Sequence, residues 1–152
     1  MRLVSATLAT TLLVAACGGP AAAPSPSPTV AASPTPAPTI VAKVATDAAL
    51  GKILVDIATG KTLYTWAKDI DENSQCNDAC ATAWPPLITT VTTIAGTGIK
   101  GSLGTSKRKD GALQVTFNKH PLYFFSRDTA AGDTKGQGSQ GFGALWTVVI
   151  DP

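Results

Sequence analysis

Three cysteines, two tyrosines and one histidine stand out among the side chains with which this chain could do chemistry. Cys76 and Cys80 are four residues apart. Within one turn of chain, that spacing brings two Cα atoms into the usual bridging range of about 4.4–6.8 Å, so a disulfide can form. Thiol exchange is the sharper alternative. The pair lacks the Cys-x-x-Cys spacing and a neighbouring basic residue that would lower a thiol pKa. Haem attachment would need Cys-x-x-Cys-His. A zinc site would need more ligands than two cysteines and His120 can offer. We therefore expect no metal ligands and no cofactor.

The second constellation is a phrase written twice. Leu63-Tyr64-Thr65-Trp66-Ala67-Lys68-Asp69 and Leu122-Tyr123-Phe124-Phe125-Ser126-Arg127-Asp128 share Leu-Tyr, an aromatic, a small residue, a cation and Asp. Successive side chains of a strand point to opposite faces. Tyr64, Trp66 and Lys68 then share one face, as do Tyr123, Phe125 and Arg127. Aromatics at such positions pack across strands and form cores, so Trp66 and Phe125 are expected at equivalent inward positions. A water-facing ligand platform is the alternative. Asp69 and Asp128 are expected to accept backbone N–H groups where the strands end. Acid–base catalysis would require the two carboxylates to converge, and repeats put equivalent residues at separate sites. His120, before Pro121, reads as an exposed turn residue without a role. Gly136-Gln137-Gly138 lacks the strand–helix context of a phosphate cradle. No motif commits the chain to a reaction, and we do not expect an enzyme.

The elements that would carry these residues are mostly strands. Ile40–Val44 and Lys52–Ile57 are β-branched and apolar. Ala58-Thr59-Gly60-Lys61 turns the chain into a return strand, Thr62–Ala67, which makes a hairpin. Asp78–Trp84 can form one helical turn that ends at Pro85-Pro86. Residues 87–99 read as irregular strand and loop. Leu103–Lys107 and Ala112–Phe117 are strands, and Asn118–Pro121 turns into the second phrase. After a Gly-rich loop, Leu145–Ile150 closes the chain. The fold class is mainly β: about seven short strands in two related hairpin units, 47–95 and 103–150, with little helix. Lys107-Arg108-Lys109, followed by Asp110-Gly111, reads as a solvated turn.

The start of the chain is an address. Met1-Arg2 and the uncharged stretch Leu3–Ala16 fit a secretory signal and are too short to span a bilayer, which takes about 20 apolar residues. Val14-Ala15-Ala16-Cys17 resembles the lipobox of bacterial lipoproteins. The resemblance implies cleavage after residue 16 and a lipid on Cys17, with two or more acyl chains giving stable anchoring. Residues 17–40 then form a lipidated Ala/Pro/Ser/Thr-rich linker, in which Pro20–Thr39 makes a semi-rigid spacer of roughly 60 Å at about 3.1 Å per residue. Residues 41–152 form one small domain. Beyond the membrane thiols meet an oxidising compartment, which favours Cys76–Cys80 as a structural disulfide. Only Arg2 of the 12 basic residues precedes Cys17, so the remainder nearly balances the 10 acidic ones. Nucleic-acid binding, which needs a clustered basic face, is not indicated.

Several motifs occur together: Gly51-x-Ile-Leu-Val-Asp, Thr62-Leu-Tyr, Cys76-x-x-x-Cys80 before Trp84-Pro85-Pro86, Gln114-Val-Thr, Pro121-Leu-Tyr and Trp146-x-Val-Val. Over residues 47–150 the chain resembles the bacterial secreted repeats of unknown function, lipoproteins named for a Tyr-x-(Phe/Trp/Tyr)-x-x-Asp motif. That family often has Gly where this chain has Lys119. If the turn needs positive φ, Lys119 carries a steric cost. The resemblance implies placement and leaves activity open. The expectation is a lipid-anchored extracytoplasmic protein on the outside of the bacterial cell membrane, a non-catalytic binding or envelope-interaction module with an unknown envelope or small-molecule partner. The alternative is a redox or electron-transfer accessory using Cys76/Cys80 or a bound metal.

Overall fold

The computed structural model describes residues 37–152. The expected signal, Cys17 and most of the linker lie outside the described residues. Nine short strands and one short helix follow in order: β1 (Thr39–Asp47), β2 (Gly51–Asp56), β3 (Tyr64–Trp66), α1 (Ala79–Ala83), β4 (Ile88–Thr89), β5 (Ile94–Thr97), β6 (Leu103–Lys107), β7 (Leu113–Phe117), β8 (His120–Pro121) and β9 (Trp146–Val148). The mainly β expectation holds. The strands exceed the expected seven because residues 87–99 contribute two, β4 on β7 and β5 parallel to β1.

One hairpin differs from expectation. β2 pairs mainly with β1, through the turn at residues 47–51. Asp47 Oδ1 closes that turn by accepting from Ala49 and Leu50 N–H. The return stretch meets β2 only around Val55 and Thr62 and then pairs, as β3, with β9. In the second unit β7 turns tightly into β8. Asn118 (φ 48°) and Lys119 (φ 69°) both sit in the left-handed region, as a two-residue type I′ turn demands. Lys119 carries the expected strain there, about 1–2 kcal/mol for an L side chain.

Leu63 and Leu122 lie on one side of the chain and Tyr64 and Tyr123 on the other, because neighbours in a strand alternate. This alternation makes two cores. Leu54, Leu63, Leu87, Val115, Leu122 and Val149 belong to an aliphatic core. Tyr64, Trp66, Trp84, Tyr123, Trp146 and the two cysteines belong to an aromatic one.

The two units repeat one bond pattern about a local two-fold. Leu63 N–H donates to Leu54 C=O, and Leu122 N–H to Val115 C=O. Val149 N–H donates to Leu63 C=O, and Leu87 N–H to Leu122 C=O. Ala67 N–H donates to Leu145 C=O, and Ser126 N–H to Ala83 C=O. At the centre Tyr64 and Tyr123 exchange both backbone bonds, at 2.8 and 3.0 Å. The repeated phrases thus meet antiparallel at their tyrosines.

Candidate functional site

The antiparallel meeting sends each tyrosine into the other unit. Tyr64 Oη donates to Asp128 Oδ2 at 2.6 Å, and Tyr123 Oη donates to Asp69 Oδ2 at 2.5 Å. Each carboxylate's second oxygen accepts a backbone N–H, from Gln75 on Asp69 and Lys135 on Asp128. The strand-end service expected of the aspartates is therefore half of what they do. Both are buried, at 1 % exposure. Burial pushes both carboxyls above the ordinary range, while the tyrosine and backbone hydrogen bonds pull the other way. Folded, they hold a proton more tightly than the unfolded chain would, so falling pH favours the fold through these two groups. Burial, then the carboxylate, drives both phenols far above their usual pKa.

The remaining aromatics stack between these pairs. Trp66 lies on Trp146 (5.0 Å between ring centres, 8° between planes), Trp146 on Trp84 (3.9 Å, 2°) and Trp84 on Phe125 (4.3 Å, 30°). Trp84 and Trp146 are two-fold equivalents, and Trp66 and Phe125, at matching positions of the two phrases, each cap the other unit's tryptophan. Tyr64 meets Trp84 edge-on at 5.4 Å, and Tyr123 meets Trp146 at 5.1 Å. Gly136 makes room for this packing, since a Cβ there would lie 2.8 Å from the Trp84 ring and 2.9 Å from Tyr64. Trp66 is buried, whereas Phe125 is half-buried, so the two ends are equivalent in place and unequal in cover. Lys68 is exposed, with its ammonium 5.3 Å from the Trp66 ring centre.

Cys76 and Cys80 form a disulfide with Cα atoms 5.2 Å apart. Cys80 belongs to α1, and its carbonyl accepts Trp84 N–H at the helix end, just before Pro85-Pro86 halts it. The bridge therefore ties the loop to a column tryptophan.

Two expectations need correction. Arg108 is no solvated turn residue: it is 5 % exposed. Its guanidinium donates to Gln114 Oε1 (2.6 Å), Ser74 Oγ (2.8 Å) and Cys76 C=O (2.8 Å). A buried cation needs such partners, and Ser74 Oγ in turn lies 2.7 Å from the Tyr123 phenol oxygen. Gln114, fully buried in β7 between Leu113 and Val115, was the one local signal of this network. His120 is exposed but employed: its Nδ1 lies 3.0 Å from the Asp69 carbonyl.

On the far side of β3 and β9 from the column, two adjoining clefts share Thr65, His120 and Thr147. The first, about 350 Å³, also touches Trp66, Ile70 and Leu145. Ile70 is 87 % exposed at its rim. Among the described residues no cluster of three or more metal-ligating side chains forms.

No curated protein and no solved structure matches this chain. The family model described as a secreted repeat of unknown function matches it twice, over residues 44–88 and 104–150. Those copies are the halves that exchange tyrosines across the local two-fold, and the chain belongs to the secreted repeats of unknown function.

Proposed function

We propose that this chain is an exported, lipid-anchored module that works without catalysis, offering a binding surface on the outside of the bacterial cell membrane. The observation that carries this reading is the internal use of the repeated phrase. Both tyrosine hydroxyls end on the other unit's aspartate, and the tryptophans stack on one another. The groups that looked chemical hold the two units together. What faces outward beside them is the apolar-rimmed cleft over Thr65, His120 and Thr147. Support for export comes from the lipobox-like Val14-Ala15-Ala16-Cys17, the secreted character of the family and the Cys76–Cys80 bridge.

Two experiments test this. Cys17→Ser should move the chain from the membrane fraction to the soluble exported fraction, or leave an unprocessed precursor. A Ser variant that fractionates and migrates like wild type defeats the anchor. For the surface, a photo-crosslinking residue at position 70 should give a discrete adduct on intact source cells. The same residue at exposed Val91 serves as control. Equal labelling from both positions, or none from position 70, rules the cleft out as the binding face.

A further inference from the structure

The geometry points to a one-electron oxidation relay in the aromatic core, in which a hole injected at Trp66 passes through Trp146 and Trp84 and settles on Tyr64 or Tyr123. This goes beyond a binding role and uses neither the disulfide nor a metal.

Burial alone accounts for aromatic rings in a core. It does not call for three consecutive stacked contacts. Aromatic pairs usually sit with ring centres about 4.5–7 Å apart, and the nearly parallel Trp84 and Trp146 are closer, at 3.9 Å. Nor does packing call for an ionisable acceptor on each phenol. Burying a carboxylate is costly, and a neutral amide oxygen would also accept a phenol proton. A carboxylate does something an amide cannot, because it can take that proton outright. An oxidised phenol becomes a strong acid, and its proton must leave as its electron does. Asp128 and Asp69 wait 2.6 and 2.5 Å away for that transfer.

The column also has an orientation. Trp66 borders the outer cleft and is itself 3 % exposed, so an oxidant seated in that cleft takes the electron across a short gap without touching the ring face. Lys68, above the Trp66 ring, disfavours a positive charge there and drives the hole inward. Trp146 is better suited to carry it, since its indole N–H donates to Gly141 C=O at 2.9 Å, a shorter bond than the 3.4 Å one from Trp66 to Ala144 C=O. Phe125, far harder to oxidise than tryptophan, closes the other end. Trp84 and Trp146 each meet one tyrosine edge-on.

The oxidant is a one-electron acceptor such as a peroxyl radical. It takes one electron from Trp66 and leaves as the peroxide anion. Electrons then move outward along the column to refill Trp66. The last comes from a tyrosine, whose proton crosses to its aspartate. The balance is one peroxyl radical, one phenol and one carboxylate giving one peroxide anion, one tyrosyl radical and one carboxylic acid.

The test uses the full chain with photogenerated tris(bipyridyl)ruthenium(III) as oxidant at neutral pH, followed by transient absorption and spin resonance. A tryptophan radical should appear first and decay as a tyrosyl radical grows, with a solvent deuterium effect on that second step. The Asp69→Asn/Asp128→Asn variant should prolong the tryptophan radical and cut the tyrosyl yield several-fold. Trp66→Phe, a mild change, should slow hole entry. If the wild type forms no tyrosyl radical, or forms it without a deuterium effect, the relay is refuted. An unchanged rate of hole entry in Trp66→Phe refutes the proposed route. The wild-type and Trp66→Phe measurements decide the matter even if the double variant does not fold.

Discussion

Trp146→Ala and Trp84→Ala are each expected to cost about 3–5 kcal/mol, the range for deleting a buried Trp or Phe. Both rings are at most 1 % exposed and stack on each other. Removing either leaves a void between a tyrosine and the next ring, and the β3–β9 pairing and the Tyr64–Tyr123 backbone bonds limit how far the column can close over it. For a domain of this size, between the small and the medium class, each kcal/mol shifts the melting temperature by roughly 4 °C. Against a total of about 5–15 kcal/mol, the double variant should not fold. The local two-fold adds a sharper expectation, that the two single variants fall by similar amounts. The ends should differ. Trp66→Ala is a core deletion, whereas half-buried Phe125→Ala should cost visibly less. Thermal melts of the four variants check this. A Trp146→Ala melt within a few degrees of wild type would show that the column is not the core.

That asymmetry marks what the residues disclosed in advance. Alternation put Tyr64 and Trp66 on one face, and Pro85-Pro86 ended α1 where the helix stops. The strain at Lys119 was legible because positive φ is a local demand of the turn. The cross-pairing was not legible. Nothing in Tyr64 names Asp128 as its partner, 64 residues on. The two phrases are so alike that pairing within a unit is as good a local fit as pairing between units. Topology alone decides, through the backbone bonds between Tyr64 and Tyr123. Arg108 was missed for the same reason. In a run of three cations it looks solvated, and its acceptors Ser74 and Cys76 lie in the other unit. Residues 87–99 read only as irregular strand and loop because the pairing of β5 with β1 is parallel and long-range, with four residues of weak alternation to announce it.

Raising the pH should expose the phenol–carboxylate pairs as one cooperative event. The chain has two tyrosines, and both are fully buried. Unfolded, a tyrosine ionises near pH 10. Folded, burial and the neighbouring aspartate keep Tyr64 and Tyr123 neutral well beyond that. The unfolded chain therefore loses protons first. This stabilising contribution is complete below about pH 10 and falls away above it, by about 1.4 kcal/mol per pH unit for each phenol. The pair together loses about 3 kcal/mol per unit, so within two units the loss rivals a typical total stability. The expected result is a single steep rise in phenolate absorbance above pH 10, for both tyrosines at once and coincident with loss of tertiary circular dichroism. Tyr64→Phe should halve the absorbance step. It also leaves Asp128 buried without its phenol donor, which costs about 1–3 kcal/mol, so the variant should be less stable at neutral pH, while its further loss above pH 10 should be half as steep, about 1.4 kcal/mol per unit. A gradual one-proton titration centred near pH 10, with tertiary structure intact, would mean that the phenols meet water. The two units would then not be joined by their tyrosines.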